Sequence, residues 1–301
     1  MGSKPLRIIQ FAREDFAGVG IKIVQAMRRA GHVCHLVCPM VHPQYRYPQD
    51  IPQFDARARR LLAAADVVIA HVNISSLKGG WGKTKRRFVY VHGTKFRRNP
   101  GPVIRWAREN KIKLVCSTVD LSRHSTNLIY NPTPIDSSTL RATWKPPPRG
   151  PLVVAHSPSS RAGKGTGEFL KACRQLRGLV KPLLIEKVDN ARCVAMKAGA
   201  HVFFDSFHIG LQVSGLEAMA IGMPIIAGGD RWVLDETRRR FKTQPYLWVQ
   251  NVGQLKAQLT SLANKAAYYE TWRSRASDFV TKVHSYEAAA RNMVKWMGPP
   301  I

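Results

Sequence analysis

Residues 210–229 read "GLQVSGLEAMAIGMPIIAGG". Gly210 and Gly215 stand before a short helical pattern that starts near Leu216. Gly222-Met223-Pro224 stops it, and an apolar run of strand length follows. Strand, glycine turn, helix and strand in this order belong to a parallel sheet with helices on its faces. Glu217 falls in the first turn of that helix, where a carboxylate offsets exposed amides. The alternative is that Glu217 faces a ligand and accepts hydrogen bonds from sugar hydroxyls.

The same alternation extends outward in both directions. "LVVAHSP" (152–158), "KPLLIEKV" and "HVFFDSF" read as strands, with "KGTGEFLKACRQL" and "NARCVAMKAG" as helices between them. Two helices close the chain, around 251–265 and 266–297. Nearer the N-terminus, "LRIIQFA" (6–12), "HVCHLVC", "DVVIAHV" (66–72), "RFVYVHG" (87–93), "KLVCST" (113–118) and "NLIYNP" (127–132) are near-continuous apolar strands. Residues 132–151 hold six prolines and break the rhythm. At 301 residues, two domains of about 150 residues each are expected. The expected fold is α/β: a Rossmann-like doubly wound domain over 1–140, a second over 141–283, and a last helix, 284–301, packing back on the first. Open sheets of this kind bind ligands at the carboxyl ends of their strands, so the turns after strands are the places to look for chemistry.

Composition excludes several classes. No apolar run approaches the roughly 20 residues of a membrane span. "MGSKPLRIIQF" lacks the pattern of a secretory leader. The five cysteines form no C-x-x-C pair, which argues against zinc, and buried free thiols suit a reducing cytoplasm. The net charge is +28, of which residues 1–150 carry +18. Such a field attracts polyanions.

Three loops carry candidate chemistry. "REDFAGVG" ends in Gly18-x-Gly20 before a helix, so backbone amides could approach a phosphate there. It is no dinucleotide fingerprint, because Ile23 occupies the third glycine position and no acid follows the second strand. "HSPSSRAGKGTGEF" (156–169) places Arg161, Lys164, Gly165 and Thr166 at a helix start, a cradle for a diphosphate or a solvated basic turn. It is not a P-loop. The third loop is the one holding Gly210 and Glu217.

"HSPSSRAGKGT" and, fifty residues on, "FFDSFHIGLQVSGLEAMAIGMPIIAG" together resemble the C-terminal domain of the group 1, retaining GT-B glycosyltransferases. The N-terminal domain is similar in layout, with a glycine-bearing first turn, "YVHG" and "YNPTPID". The resemblance implies a nucleotide-sugar donor, most simply UDP-linked, as co-substrate and no other cofactor. No acidic metal cluster appears in the sequence, and cationic groups at a departing diphosphate can do a metal's work, so no metal is expected. Arg161 and Lys164 would contact the diphosphate, Glu217 the ribose, and Gly18 and Gly20 the phosphates across a cleft. His92 would lie beside the transferred sugar. The family often carries a glutamate eight residues before the one matching Glu217; here that position is Ile209, with His208 and Asp205 as nearby polar candidates. Glu14 and Asp15 are candidates for activating an acceptor hydroxyl, or simple turn and cap residues.

The acceptor side is read from charge. "KGGWGKTKRRFVYVHGTKFRR" (78–98) carries Lys78, Lys83, Lys85, Arg86, Arg87, Lys95, Arg97 and Arg98 with no acid, and Trp81 among them. The leading expectation is double-stranded DNA as acceptor, bound through these residues, with a base rotated out for glycosylation at a hydroxyl such as that of 5-hydroxymethylcytosine. Some bacteriophages modify DNA in this way. The alternatives are a lipid-linked or polysaccharide acceptor at an anionic membrane and a non-catalytic DNA-binding protein on a degenerate transferase scaffold. The expected state is a cytoplasmic monomer. Phe88 and Tyr90 read as core residues of a strand that delivers His92.

Overall fold

The computed structural model describes residues 4–71, 86–144 and 150–298. The chain divides into two compact units, Met1–Pro134 with Tyr286–Ile301, and Ile135–Ser285. Lys78, Trp81, Lys83 and Lys85 lie outside the described residues, as does the side chain of Lys95.

The first unit runs β1 (Arg7–Phe11), α1 (Val19–Arg29), β2 (Val33–Val37), α2 (Ala56–Ala64), β3 (Val67–His71), β4 (Arg86–Val91), α3 (Gly93–Arg98), α4 (Gly101–Glu109), β5 (Lys113–Cys116) and β6 (Ile129–Tyr130). All pairings in its six-stranded sheet are parallel, in the order β2-β1-β3-β4-β5-β6. Central strands of a parallel sheet are covered on both faces, and every residue of β3 is buried. Phe88 and Tyr90 are buried too, so they are packing residues.

The second unit runs α5 (Ser137–Arg141), β7 (Leu152–His156), α6 (Arg161–Lys164), α7 (Thr166–Gln175), β8 (Val180–Leu184), α8 (Asn190–Lys197), β9 (Val202–Phe204), α9 (Val213–Ile221), β10 (Ile225–Ala227), α10 (Arg231–Phe241), β11 (Leu247–Trp248), α11 (Val252–Asn264) and α12 (Ala266–Phe279). Its sheet is also parallel, ordered β11-β10-β9-β7-β8. Each sheet therefore reverses its winding beside its first strand, between β1 and β3 and between β7 and β9. Ligand crevices of open α/β sheets form at such switch points. Two apolar layers, one built on Phe203, Met219 and Ile225 and the other on Phe169, Phe204 and Leu259, cover the two faces. Helix starts are set locally: Asp55, Asp136, Asp189, Asp230 and Asn251 each accept a main-chain N–H three residues on.

Three features depart from what the sequence predicts. First, residues 266–297 are not one helix. After α12 the turn widens to π geometry over Val280–His284, Ser285 turns extended, and the chain re-enters the first unit as α13 (Tyr286–Met297). The carbonyl of His284 instead accepts the N–H of Ile135 at 2.7 Å. The α13 helix is held in the first unit by Tyr286 Oη to Gln25 (2.6 Å), Trp296 Nε1 to Asn131 (3.1 Å) and an edge contact of Trp296 on Phe88. Second, the strand expected over 127–132 is only two residues long. Third, α9 begins at Val213, not near Leu216, so Glu217 sits in its second turn and does not face the helix's first amides.

Candidate functional site

In the second unit, the carboxyl ends of β7 and β9 gather the polar residues. His156 closes β7. Its Nδ1 donates to the Phe204 carbonyl (2.9 Å), which fixes Nε2 as the acceptor of the Thr166 hydroxyl (2.9 Å). Burial pushes the His156 ring down to about 4, so the neutral tautomer persists. The Thr166 hydroxyl is thus turned into the core. Ser160 caps α6, and the chain turns at Gly165 with φ +72°. A Cβ there would lie 2.5 Å from the Phe207 ring, so only glycine lets α6 and α7 meet.

That turn puts Lys164 indoors. Its Nζ is 2.5 Å from Asp205 Oδ1, and the second Asp205 oxygen accepts the N–H of Gln212 at 2.7 Å. Both side chains are buried. Asp205 takes one of the three ammonium donors. Arg161, by contrast, is exposed and lies fork-to-fork on Glu186 (2.9 and 2.5 Å). Ile209 is half-buried, and its carbonyl accepts from the Gln212 side chain (2.8 Å); His208 beside it is exposed and Gly210 is buried.

Glu217 is the second buried charge. Its Oε2 receives Lys197 Nζ at 2.9 Å and its Oε1 receives Asn190 Nδ2 at 3.2 Å. The side chains of Lys197 and Glu217 are 1% and 4% exposed, so this pair has left water almost completely. Burial is the largest single influence and lowers the Lys197 pKa, but the charge and hydrogen bond of Glu217, with Cys193 and Asp205, together outweigh it and the net direction is upward. Lys197 also reaches the Ser214 carbonyl (3.3 Å), and Ser214 Oγ lies 2.6 Å from Ser157 Oγ. Two ion pairs thus flank the β7/β9 switch point. The sequence motifs single out Lys164 and Glu217 but pass over Lys197. A signal exists all the same, since "NARCVAMKAG" puts a lysine near the end of a largely apolar helix.

In the first unit, the glycine turn is closed by its own acid. Asp15 accepts the N–H groups of Gly20 (3.1 Å) and Ile21 (2.8 Å) through its two oxygens, capping α1. Gly18, at φ +65°, backs directly onto the Tyr47 ring, which stands where a Cβ would go. Glu14 is half-buried, 3.8 Å from His42 Nε2. His92 follows β4 and its Nε2 is 2.8 Å from Nδ1 of His71, the last residue of β3. No sequence motif marks His71.

Of the basic cluster at 78–98, Arg86 donates to the carbonyls of Met297 and Gly298 at 3.0 Å each, closing the end of α13. Arg97 is ion-paired with Asp120. Arg98 is exposed and Arg87 partly so. Other exposed cations line α2 (Arg57, Arg59, Arg60) and α4 (Arg105, Arg108). Among the described residues, no group of three or more His, Cys, Asp or Glu could hold a metal ion, and no helix is long and apolar enough to cross a membrane.

No protein-family model matches the chain, and no curated protein matches it in sequence. Solved structures do match. HepE of Anabaena, in complex with UDP-glucose, superposes with a TM-score of 0.67 at 10% identity, over 96% of this chain and 99% of that one. A glycosyltransferase from Rickettsia africae gives 0.66 at 11% identity, over 98% of each chain. WaaG, a glycosyltransferase involved in lipopolysaccharide biosynthesis, gives 0.58 at 11% identity, over 96% and 99%. These likenesses, together with two all-parallel α/β units in succession, establish that the chain has the GT-B fold of the glycosyltransferases.

Proposed function

We propose that the chain transfers a glycosyl group from a UDP-sugar to an acceptor hydroxyl, with retention and without a metal ion. The observation that carries this reading is the pair of buried ion pairs at the β7/β9 switch point. Charges withdrawn from water are costly to keep, and the crevice at the carboxyl ends of the strands is where open α/β sheets bind their ligands. The UDP and UDP-glucose complexes of HepE support it from the side of the fold.

In this reading the bond between the anomeric carbon and the diphosphate oxygen breaks, and its electron pair stays on the diphosphate. Lys164 and Arg161 stabilise that charge as it develops, taking the place of a metal. Glu217 accepts hydrogen bonds from the ribose hydroxyls. His92 lies beside the sugar. The acceptor oxygen bonds to the anomeric carbon and gives up its proton. Asp15 is spent on capping α1, which leaves Glu14 the better placed of the two acids to receive that proton.

For the acceptor we favour DNA carrying a 5-hydroxymethylpyrimidine, as in some bacteriophages, on the strength of the +28 charge and the exposed arginines of α2 and α4. A lipid-linked acceptor at an anionic membrane is the second reading. Its support is an apolar patch at the carboxyl edge of the first sheet: Phe16 is 51% exposed and Met40 and Val41 are each 44% exposed, with Arg13 on Met40. The test is transfer from a panel of UDP-sugars to duplex DNA containing 5-hydroxymethylcytosine or 5-hydroxymethyluracil, read by nucleoside mass. Vesicles with anionic lipid-linked acceptors run alongside. Lys164→Ala should abolish transfer and leave acceptor binding intact. Turnover of no UDP-sugar would overturn the enzyme reading.

A further inference from the structure

Three polar side chains interrupt the apolar interior of the first sheet, and they form one chain of hydrogen bonds. Gln10 lies on β1, His71 ends β3, and His92 follows β4, so the chain crosses three neighbouring strands at their carboxyl edge. The register places all three on one face. Gln10 pairs with Ile69, two residues before His71, and His71 pairs with Tyr90, two residues before His92. Gln10 is fully buried and His71 nearly so. Gln10 Nε2 lies 3.2 Å from the Gly20 carbonyl and 3.4 Å from Cys34 Sγ. Gln10 Oε1 is 2.8 Å from His71 Nε2, and His71 Nδ1 is 2.8 Å from His92 Nε2.

The direction of every proton follows from one group. The Gly20 carbonyl only accepts, so the Gln10 amide must turn its NH₂ to it and its oxygen to His71. His71 therefore donates through Nε2. Burial keeps its ring neutral, with a pKa pushed down to about 3, so Nδ1 bears a lone pair. That lone pair accepts from His92, which must then carry its proton on Nε2. Nδ1 of His92 is left as the unprotonated nitrogen. The charged groups that bear on His92 are Asp15, on the glycine turn, and Arg97, on α3; burial and the neighbouring His71 hold it low.

We propose that His71 and Gln10 are positioning residues that lock His92 into the Nε2–H tautomer, so that its Nδ1 accepts a hydrogen bond from a hydroxyl of the bound sugar. The proposal rests on the reading of His92 as the residue beside the donor sugar. It names the kind of sugar: one that offers a neutral hydroxyl at that position. A carboxylate there would face a lone pair and be rejected. It also ties the histidine to the glycine turn, because the proton chain ends on the carbonyl of Gly20.

The test uses full-length protein with ¹⁵N-labelled histidine. Two-bond ¹⁵N–¹H correlations distinguish a protonated ring nitrogen from a lone-pair nitrogen. The expected result is Nε2–H for His92 and His71 in the wild type from pH 6 upward. His71→Gln keeps one donor and one acceptor in line and should preserve the His92 tautomer; His71→Phe keeps the ring and should give a mixture. A proton found on His92 Nδ1 in the wild type overturns the proposal, whatever the enzyme does. UDP, UDP-glucose, UDP-galactose and UDP-N-acetylglucosamine are then added in turn. A shift of His92 Nδ1 with a UDP-sugar but not with UDP is the expected response. UDP binding with no Nδ1 response to any of the sugars overturns the assigned role, while failure of UDP itself to bind overturns the parent reading. On the sugar that responds, His71→Phe should lower kcat on the order of 100-fold with KM little changed, and His71→Gln should recover most of the loss. Equal loss in both variants would mark His71 as merely structural.

Discussion

Replacing Lys197 by methionine tests whether the Glu217 carboxylate is a buried, poised charge. The pair has an N–O distance of 2.9 Å and side chains 1% and 4% exposed. Removing one member of a pair so far from water leaves the other uncompensated, at a cost of about 3–5 kcal/mol. In a unit of this size that corresponds to a fall in Tm of roughly 6–20 °C, at 2–4 °C per kcal/mol. Lys197→Met with Glu217→Leu removes both charges and should regain most of the loss. The stability of the double variant then separates structure from function. If Glu217 also holds the ribose, the double variant is stable but binds UDP roughly 10- to 150-fold more weakly, the worth of about 1.5–3 kcal/mol in hydrogen bonds to a charge. Thermal unfolding and UDP titration calorimetry read the two effects. A Lys197→Met loss below about 1 kcal/mol would refute the buried-pair reasoning, because exposed pairs cost no more than that. Unchanged UDP affinity in the double variant would refute the ribose role.

Gly165→Ala should cost at least 1–2 kcal/mol, since φ is +72° and the Phe207 ring leaves no room for a methyl group; chemical denaturation measures it. The pH dependence of stability should show the buried histidines. His71 has a folded pKa near 3 against about 6.5 unfolded, so its contribution is fully present above pH 6.5 and is lost as pH falls toward 3. In His71→Gln the slope of stability against pH between 6 and 4 should flatten by up to about 1.4 kcal/mol per pH unit, and an unchanged slope would show that His71 is not buried neutral. For the acceptor, neutralising Arg57, Arg59, Arg105 and Arg108 together should reduce the salt dependence of duplex binding, by roughly one unit of slope for each phosphate no longer neutralised. Neutralising Arg86 should instead destabilise the fold, because it closes the end of α13.

The alternation of apolar strands and glycine turns makes both sheets legible, because a parallel strand covered on two faces leaves a run with almost no polar residue. Strand order is not legible; it follows from packing that no single segment records. The break at Ser285 is hidden for a related reason. Residues 266–297 keep a helical pattern of apolar residues throughout, and the break is made by a tertiary bond, from Ile135 N–H to the His284 carbonyl. Glu217 is marked by its neighbours in sequence, yet they do not disclose its local role. A helix that begins three residues earlier carries it out of the first turn and into the reach of Lys197, which lies twenty residues away and on another helix.

Polar residues inside apolar strands are a further signal in the sequence. In "LRIIQF" and "DVVIAHV" a glutamine and a histidine sit where burial favours valine or isoleucine. Such residues survive only when each polar atom finds a partner. Two of them at the carboxyl ends of neighbouring strands therefore predict a bond to each other near the switch point; Gln10 does bond His71, and the second ring nitrogen of His71 then takes His92. The same reasoning bears on the arginines. Arg86 and Arg97 look like ligand-binding charge in a row of eight, but each has an acceptor within its own unit. Arg97 is neutralised locally by Asp120, whereas Arg86 keeps its charge because its acceptors are neutral carbonyls, and only its reach is fixed. The exposed arginines of α2 and α4 are among the cations left for an anionic partner.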